Sequence, residues 1–332
     1  MSVTRRTFIQ RVGQLGLAAS VAGTFAGHAR AQSFPSRPVR IFTPFPAGSG
    51  PDAALRMVGD QLSRRWKQPV VIDNRPGGNG FIAVAAFKQG ATDGHDLLQL
   101  DSTHCTTHPS TFARLPYDVQ KDFVPLRVIL NTPFFVAVAA DSPYKSVDDI
   151  VSAARAKPGS VSYGSWFNGS PGHIGGLLLQ SVTKVQMLHV PFRDFGQLYA
   201  AVASREVDWA MGSVASAGAL EKGGRLRFLA VAADQRDTLY PKVPATAELA
   251  GLQGFKLSAW AGMFGPAAIA GALQNSIAAD IAQALAAPEV VTTYKSIGYE
   301  APDLSPAQFD ARIRAETVQW RDVIKSANLR LD

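Results

Sequence analysis

Residues 41–52 read IFTPFPAGSGPD: an apolar run, two prolines, then Gly48-Ser49-Gly50 ahead of Pro51 and Asp52. Val39–Phe42 reads as a buried strand stopped by Pro44 and Pro46. From Pro51 onward, Leu55, Val58, Leu62 and Trp66 fall at helical spacing, and Pro51 suits a first helical turn. A small-residue turn between a strand and a helix presents backbone N–H groups that can hold an anion.

The same grammar recurs downstream. PVVID (69–73) is a second short strand, NRPGGNG (74–80) a second glycine-rich turn opening FIAVAAFKQG, and DLLQL (96–100) a third strand. FFVAVAA (134–140) is a strand, and Ser146 and Asp149 begin a helix over 146–159 like a capping box. Strands at 161–165, 187–192, 207–212, 226–233 and 259–265 follow, the first ones separated by the helical IGGLLLQSV and GQLYAAVAS. Two amphipathic helices near 268–287 and 306–326 close the chain. This alternation predicts an α/β protein with mainly parallel sheet covered on both faces. Loops rich in Gly, Ser and Asn fall at strand carboxyl ends at 46–50, 74–80, 101–108, 165–173, 192–194 and 212–216. Ligands of open α/β sheets bind at that edge. Their division between two halves of the chain predicts a cleft between two lobes.

With 332 residues, 46% hydrophobic and 18% charged, the chain has room for one large or two medium domains. The formal net charge is +7, but Arg5, Arg6, Arg11 and Arg30 lie in the first 31 residues, which hold no acid. The remaining +3 is spread without long basic runs and gives little support to nucleic-acid binding. MSVTRRTFIQ, the mildly apolar GQLGLAASVAGTFAG and the closing Ala29-Arg30-Ala31 have the three parts of an export signal over 1–31. Thr4-Arg5-Arg6-Thr7-Phe8-Ile9 resembles the twin-arginine type, with a mature start at Gln32. The single cysteine, Cys105, permits no internal disulfide.

Rival chemistries fit these loops less well. Gly48-Ser49-Gly50-Pro51-Asp52-Ala53 fits G-x-G-x-x-A, with Asp73 where a dinucleotide site wants an acid. Against it, Pro44–Ala47 separates the strand from the first glycine, and Asp73 runs straight into a second small-residue turn. None of Ser49, Ser102, Ser165, Ser170 or Ser213 lies in G-x-S-x-G. His104 and His108 are four apart but lack an H-E-x-x-H partner, so loop histidines are favoured over a metal site. No catalytic, metal or cofactor residues are assigned.

FPSRPVRIFTPFPAGSGPDAALRMVGDQLSRRWKQPVVIDNRPGGNG resembles the opening of the Bug family, the extracytoplasmic receptors of tripartite tricarboxylate transporters. DGHDLL (93–98), LPYDVQKDFVP (115–125), GSPGHIGGLLL (169–179), HVPFRDFGQLYAAVASREVD (189–208), GGRLRFLAV (223–231), YPKVPATAELAG (240–251) and AETVQWRDVIK (315–325) extend the resemblance in order. It implies a type II-like two-lobed periplasmic binding protein fold with two crossovers, near 138–141 and 230–234. Lobe 1 is then 32–138 and 233–332, and lobe 2 is 139–232. A di- or tricarboxylate, acidic amino acid or aromatic acid is held in the interlobe cleft. Carried onto this chain, backbone donors of Phe45, Ala47, Gly48 and Ser49 meet one carboxylate, while Ser102, Thr103, Ser165, Asn168 and Ser170 surround the rest. The chain departs from the family pattern at His108, Trp166-Phe167, Phe192-Arg193-Asp194 and Met211-Gly212-Ser213. At these departures His108, Arg193, Asp194 and Ser213 join the candidate ligand residues, with Arg193 placed to clamp a distal carboxylate. The resemblance implies a soluble periplasmic monomer that delivers its ligand to membrane subunits of a tripartite tricarboxylate transporter. Signalling to a sensor kinase is the alternative, and an exported enzyme with a nicotinamide cofactor the third.

Overall fold

Eleven-residue and shorter strands alternate with helices along a chain whose computed structural model describes residues 34–331. The export signal expected over 1–31 and the start at Gln32 lie outside the described residues. The first elements are β1 (Val39–Thr43), α1 (Gly50–Trp66), β2 (Val70–Asn74), α2 (Phe81–Lys88) and β3 (Asp96–Asp101). After them come β4 (Phe123–Pro133), β5 (Phe135–Ala139), α3 (Val147–Ala156), β6 (Ser162–Ser165) and α4 (Pro171–Thr183). β7 (Leu188–Pro191), α5 (Phe195–Ala203), β8 (Trp209–Gly212), α6 (Val214–Lys222) and β9 (Leu226–Val231) follow. The chain then runs through β10 (Ser258–Pro266), α7 (Gly271–Leu285), α8 (Pro288–Ile297) and α9 (Pro306–Ser326).

Among the described residues the strands form two five-stranded sheets, ordered β2-β1-β3-β10-β4 and β7-β6-β8-β5-β9. β1 pairs in parallel with β2 and β3, and β6 in parallel with β7 and β8, as the strand–helix alternation requires. However, β10 runs antiparallel to β3 and β4, and β5 antiparallel to β8 and β9, because these two strands follow crossovers between the sheets. Each sheet is mixed, not mainly parallel. Each sheet has its own core. Phe42, Leu98, Leu100, Phe123, Trp260 and Phe264 lie in the first, and Val136, Val138, Tyr163, Leu198 and Trp209 in the second. The fold is thus an α/β, two-lobed architecture.

The chain passes to the second sheet at Phe134, earlier than the expected 138–141, because all of β5 pairs with β8 and β9. It returns between Val231 and Ser258. The two crossovers hold each other: Ala232 N–H donates to Phe134 O at 2.8 Å, and Leu257 N–H to Ala232 O at 2.8 Å. Two further elements differ from expectation. β4 contains Pro125, which argues against a strand, yet it is an edge strand, where a residue without an N–H is tolerated. The expected 268–287 helix is α7, and Pro288 starts the separate α8.

Candidate functional site

Strand direction brings the ligand-loop candidates to two facing edges. β1, β2 and β3 are parallel, so Thr43, Asn74 and Asp101 end at one edge; Ala261 of β10 pairs with Asp101, and Pro133 of β4 with Ser258. In the second sheet Phe135 pairs with both Gly212 and Val231, so the ends of β6, β7, β8 and β9 lie beside the start of β5. Both crossovers leave and arrive at these edges. The loops at 44–50, 75–80 and 102–108 therefore face those at 166–170, 192–194 and 212–214.

The first loop is shaped by Asp52, whose side chain is 1% exposed. Its Oδ2 accepts from Gly48 N–H at 2.8 Å and Arg56 Nε at 2.9 Å, and its Oδ1 from Asn74 Nδ2 at 2.7 Å. Burial pushes this carboxyl up, but donation from Arg56, Asn74 and Gly48 outweighs it and holds the pKa below the usual value. Phe45 N–H donates to Thr43 Oγ1, and Ser49 N–H to Pro46 O. The donors expected from Phe45, Gly48 and Ser49 N–H are thus committed inside the loop. Among the described residues, the N–H groups of Ala47 and Gly50 have no protein partner, and Ser49 Oγ is buried without one. These three groups can meet an anion at the start of α1. Asp73, the residue a dinucleotide would use, forms an ion pair with Arg75 at 2.8 Å.

Residues 103–107 form a π-helical turn. Thr106 and Thr107 hydroxyls donate to the Ser102 and Thr103 carbonyls, and Tyr117 OH to the His104 carbonyl. His104 Nδ1 lies 2.5 Å from Asp101 Oδ1. Burial alone raises the Asp101 carboxyl, yet His104 holds it below its ordinary range. Ser102 and Thr103 border a void of about 10 Å³ with Pro171, Ile174, Leu257 and Trp320, so they touch the start of α4 across the cleft. His108 is corrected to a core residue. Its Nδ1 is 3.2 Å from Tyr117 OH, and its ring packs on Phe81 and Phe112. Burial pushes its pKa down to about 3.

On the second lobe several candidates are cap or loop anchors. Ser170 caps α4 by accepting from His173 N–H, Asp194 caps α5 by accepting from Gln197 N–H, and Ser213 makes a capping box with Ser216 at α6. Ser165 Oγ contacts His189 Nε2 at 2.8 Å and donates to Phe167 O at 3.0 Å. Asn168 and Arg193 are exposed, and Arg193 has no partner among the described residues. Trp166 is wedged between Phe134 and Phe195, while Phe167 is 51% exposed. The sequence missed Asp52 as the loop's organiser, although its i, i+4 spacing to Arg56 was visible. It also had no signal for the Tyr299 contact with Gly50, which joins residues far apart in the chain.

Cavities of about 620 and 480 Å³ lie along the hinge, and another of about 560 Å³ lies at the start of β1, away from the strand-end loops. Asp237 and Glu300 line both hinge cavities; the larger also holds Asp303, Lys295, the edge of Tyr299 and Arg127, which is paired with Asp303 and two carbonyls, and the smaller holds Asp234, Glu316, Arg236 and Lys256. Acids outnumber bases in both linings, so an anion is better served at the strand-end loops than in the body of either cavity.

The tripartite tricarboxylate transporter family receptor pattern matches residues 54–329. The chain belongs to that family. A similar protein of Pseudomonas sp. (strain P51), the UPF0065 protein in the tcbD-tcbE intergenic region, is 32% identical over 309 residues, 93% of this chain and 92% of its own. The structure is also similar to that of R. palustris Rpa4515 with adipate. They share 28% identity and a TM-score of 0.77, over 90% of this chain and 99% of that one. MatC (Rpa3494) from Rhodopseudomonas palustris with bound malate shares 26% identity and a TM-score of 0.74, over 88% and 100%. This chain is therefore a solute-binding protein of the tripartite tricarboxylate transporter receptor family, and its fold is that of the family's two-lobed proteins.

Proposed function

We propose that this receptor captures a small organic dicarboxylate in the periplasm and delivers it to the membrane subunits of a tripartite tricarboxylate-type transporter. The observation that carries the reading is the set of partnerless groups at the start of α1: Ser49 Oγ with the Ala47 and Gly50 N–H groups. A carboxylate needs several donors at about 2.7–3.0 Å, and a loop and helix start supply them without a fixed counter-charge. Arg193, exposed on the opposing edge and without a partner among the described residues, suits a second carboxylate. Adipate and malate, the acids described with the two similar structures, each carry two such groups.

The chain reaches the periplasm by the twin-arginine route in this reading. Replacing Arg5 and Arg6 by Lys keeps the charge and should strand the protein in the cytoplasm; unchanged periplasmic yield would reject that route. A thermal-shift screen of purified residues 32–332 with malate, adipate, citrate, glutamate and benzoate tests the ligand class. A ligand at 100 times its dissociation constant stabilises the native state by about 2.7 kcal/mol and raises the melting temperature accordingly. A melting temperature unmoved by every acid rejects the carboxylate reading.

A further inference from the structure

We propose that Tyr299 is a further ligand-binding residue of this cleft, donating its phenolic hydrogen bond to the carboxylate held at the start of α1. The inference rests on the carboxylate reading given above. α8 ends at Ile297, and Gly298 follows in the left-handed region with φ of 71°, the usual place for a glycine past a helix end. The N–H groups of Gly298 and Tyr299 both return to the Tyr294 carbonyl, the second at 2.9 Å. Asn131 and Glu300 then exchange backbone hydrogen bonds of 2.7 and 2.8 Å, pinning the turn beside β4.

A turn held at both ends fixes where Tyr299 points. Its ring stands edge-on to Tyr294, with centroids 5.8 Å apart and planes at 90°. Its hydroxyl reaches over Gly50 so closely that a Cβ on Gly50 would collide with it. Tyr294 OH donates to the Ile129 carbonyl at 2.8 Å, whereas Tyr299 OH makes no hydrogen bond to a described residue and stays open to solvent and to a ligand. Here it stands over the helix start that also carries Ser49 Oγ and the Gly50 N–H without partners. Burial raises the phenol pKa, so the group remains a hydrogen-bond donor at neutral pH.

The same turn touches the other lobe. A Cβ on Gly298 would sit 2.6 Å from Val214 Cβ, at the first residue of α6. One short turn therefore meets the anion-holding end of α1 and the start of α6 together. A glycine at position 50 is explained by the same geometry, since any side chain there displaces the hydroxyl.

Calorimetric titration of the mature protein with malate, adipate, citrate and glutamate tests the assignment. For each acid that the parent binds, Tyr299→Phe should weaken affinity about tenfold, the effect of removing one hydrogen bond to a charged group. Its ligand-free melting temperature should stay near the parent's, because the ring is kept. Gly50→Ala should weaken binding in the parent but add little in the Tyr299→Phe background, as expected when both changes remove one contact. Equal affinities of parent and Tyr299→Phe overturn the assignment and leave the receptor reading standing. Failure of the parent to bind any of these acids overturns both.

Discussion

At the residue scale, the N–H and hydroxyl accounting of the first loop decides which substitutions matter. Gly48 lends its N–H to Asp52, and with φ of 82° it sets the turn, while Ser49 keeps a buried hydroxyl open. Ser49→Ala is therefore expected to weaken binding of malate or adipate by about 0.5–1.5 kcal/mol, the net worth of a hydrogen bond. Asp73→Asn should leave it unchanged, since Asp73 is engaged with Arg75; calorimetry that ranks the two in the opposite order rejects this assignment. Asp52→Asn attacks the loop's frame. It leaves Gly48 N–H and Arg56 short of a charged acceptor and should cost about 1–3 kcal/mol in urea unfolding. Because the folded pKa of Asp52 lies below the unfolded value, its contribution is present above that unfolded value. It disappears as pH falls through the folded pKa. Asp52→Asn should accordingly lose less stability on acidification than the parent.

At the scale of elements, the loop after β6 hangs on two stacked imidazoles. The His173 and His189 rings are 3.8 Å apart and within 5° of parallel. His173 Nδ1 accepts from Gly169 N–H at 3.0 Å, so it must be unprotonated there, and His189 Nε2 contacts Ser165 Oγ. Burial, with His189 adding for His173, lowers their pKa values to about 3 and about 4. Depressed folded values mean that protons bind the unfolded state first. Stability is whole above about pH 6.5 and falls as the solution is acidified, by roughly 1–2 kcal/mol per ring at pH 5. His108, pushed to about 3, acts in the same direction. Urea unfolding at pH 7 and pH 5 checks this, and His189→Gln, which can still donate to Ser165 Oγ, should make the decline shallower by about one proton. A pH-independent parent would sink the idea.

These elements also show what sequence pattern can and cannot reveal. Apolar runs and glycine-rich turns marked β1 to β3, β5 to β9 and the loops at their ends, because strand period and turn chemistry are local. β4 was hidden since Pro125 argues against a strand unless its place at a sheet edge is known, and edge position is a tertiary fact. From their loops alone, Ser170, Asp194 and Ser213 read as ligand residues. In each case the same polar side chain is what a helix start requires, and the two demands look alike in sequence.

At the scale of the whole molecule, α9 joins the two cores. Its first half sends Phe309 and Ile313 into the core of the first sheet, where Phe309 meets Trp260 and Phe264 at 5.0 and 5.4 Å. Its middle ties to the crossovers: Arg312 reaches Asn131 and Ser258, and Glu316 accepts from Trp260 Nε1 at 2.7 Å. Its last turns put Trp320, Val323 and Ile324 into the core of the second sheet. One helix buried in both cores makes each lobe lose apolar contacts when the other opens. The protein should therefore unfold in a single calorimetric transition, with calorimetric and van't Hoff enthalpies in agreement. Trp320→Ala, which empties a site only 6% exposed, should cost about 3–5 kcal/mol and shift that whole transition downward. Two resolved transitions in the parent, or a Trp320→Ala effect confined to one of them, would show that the lobes unfold separately and that α9 does not couple them.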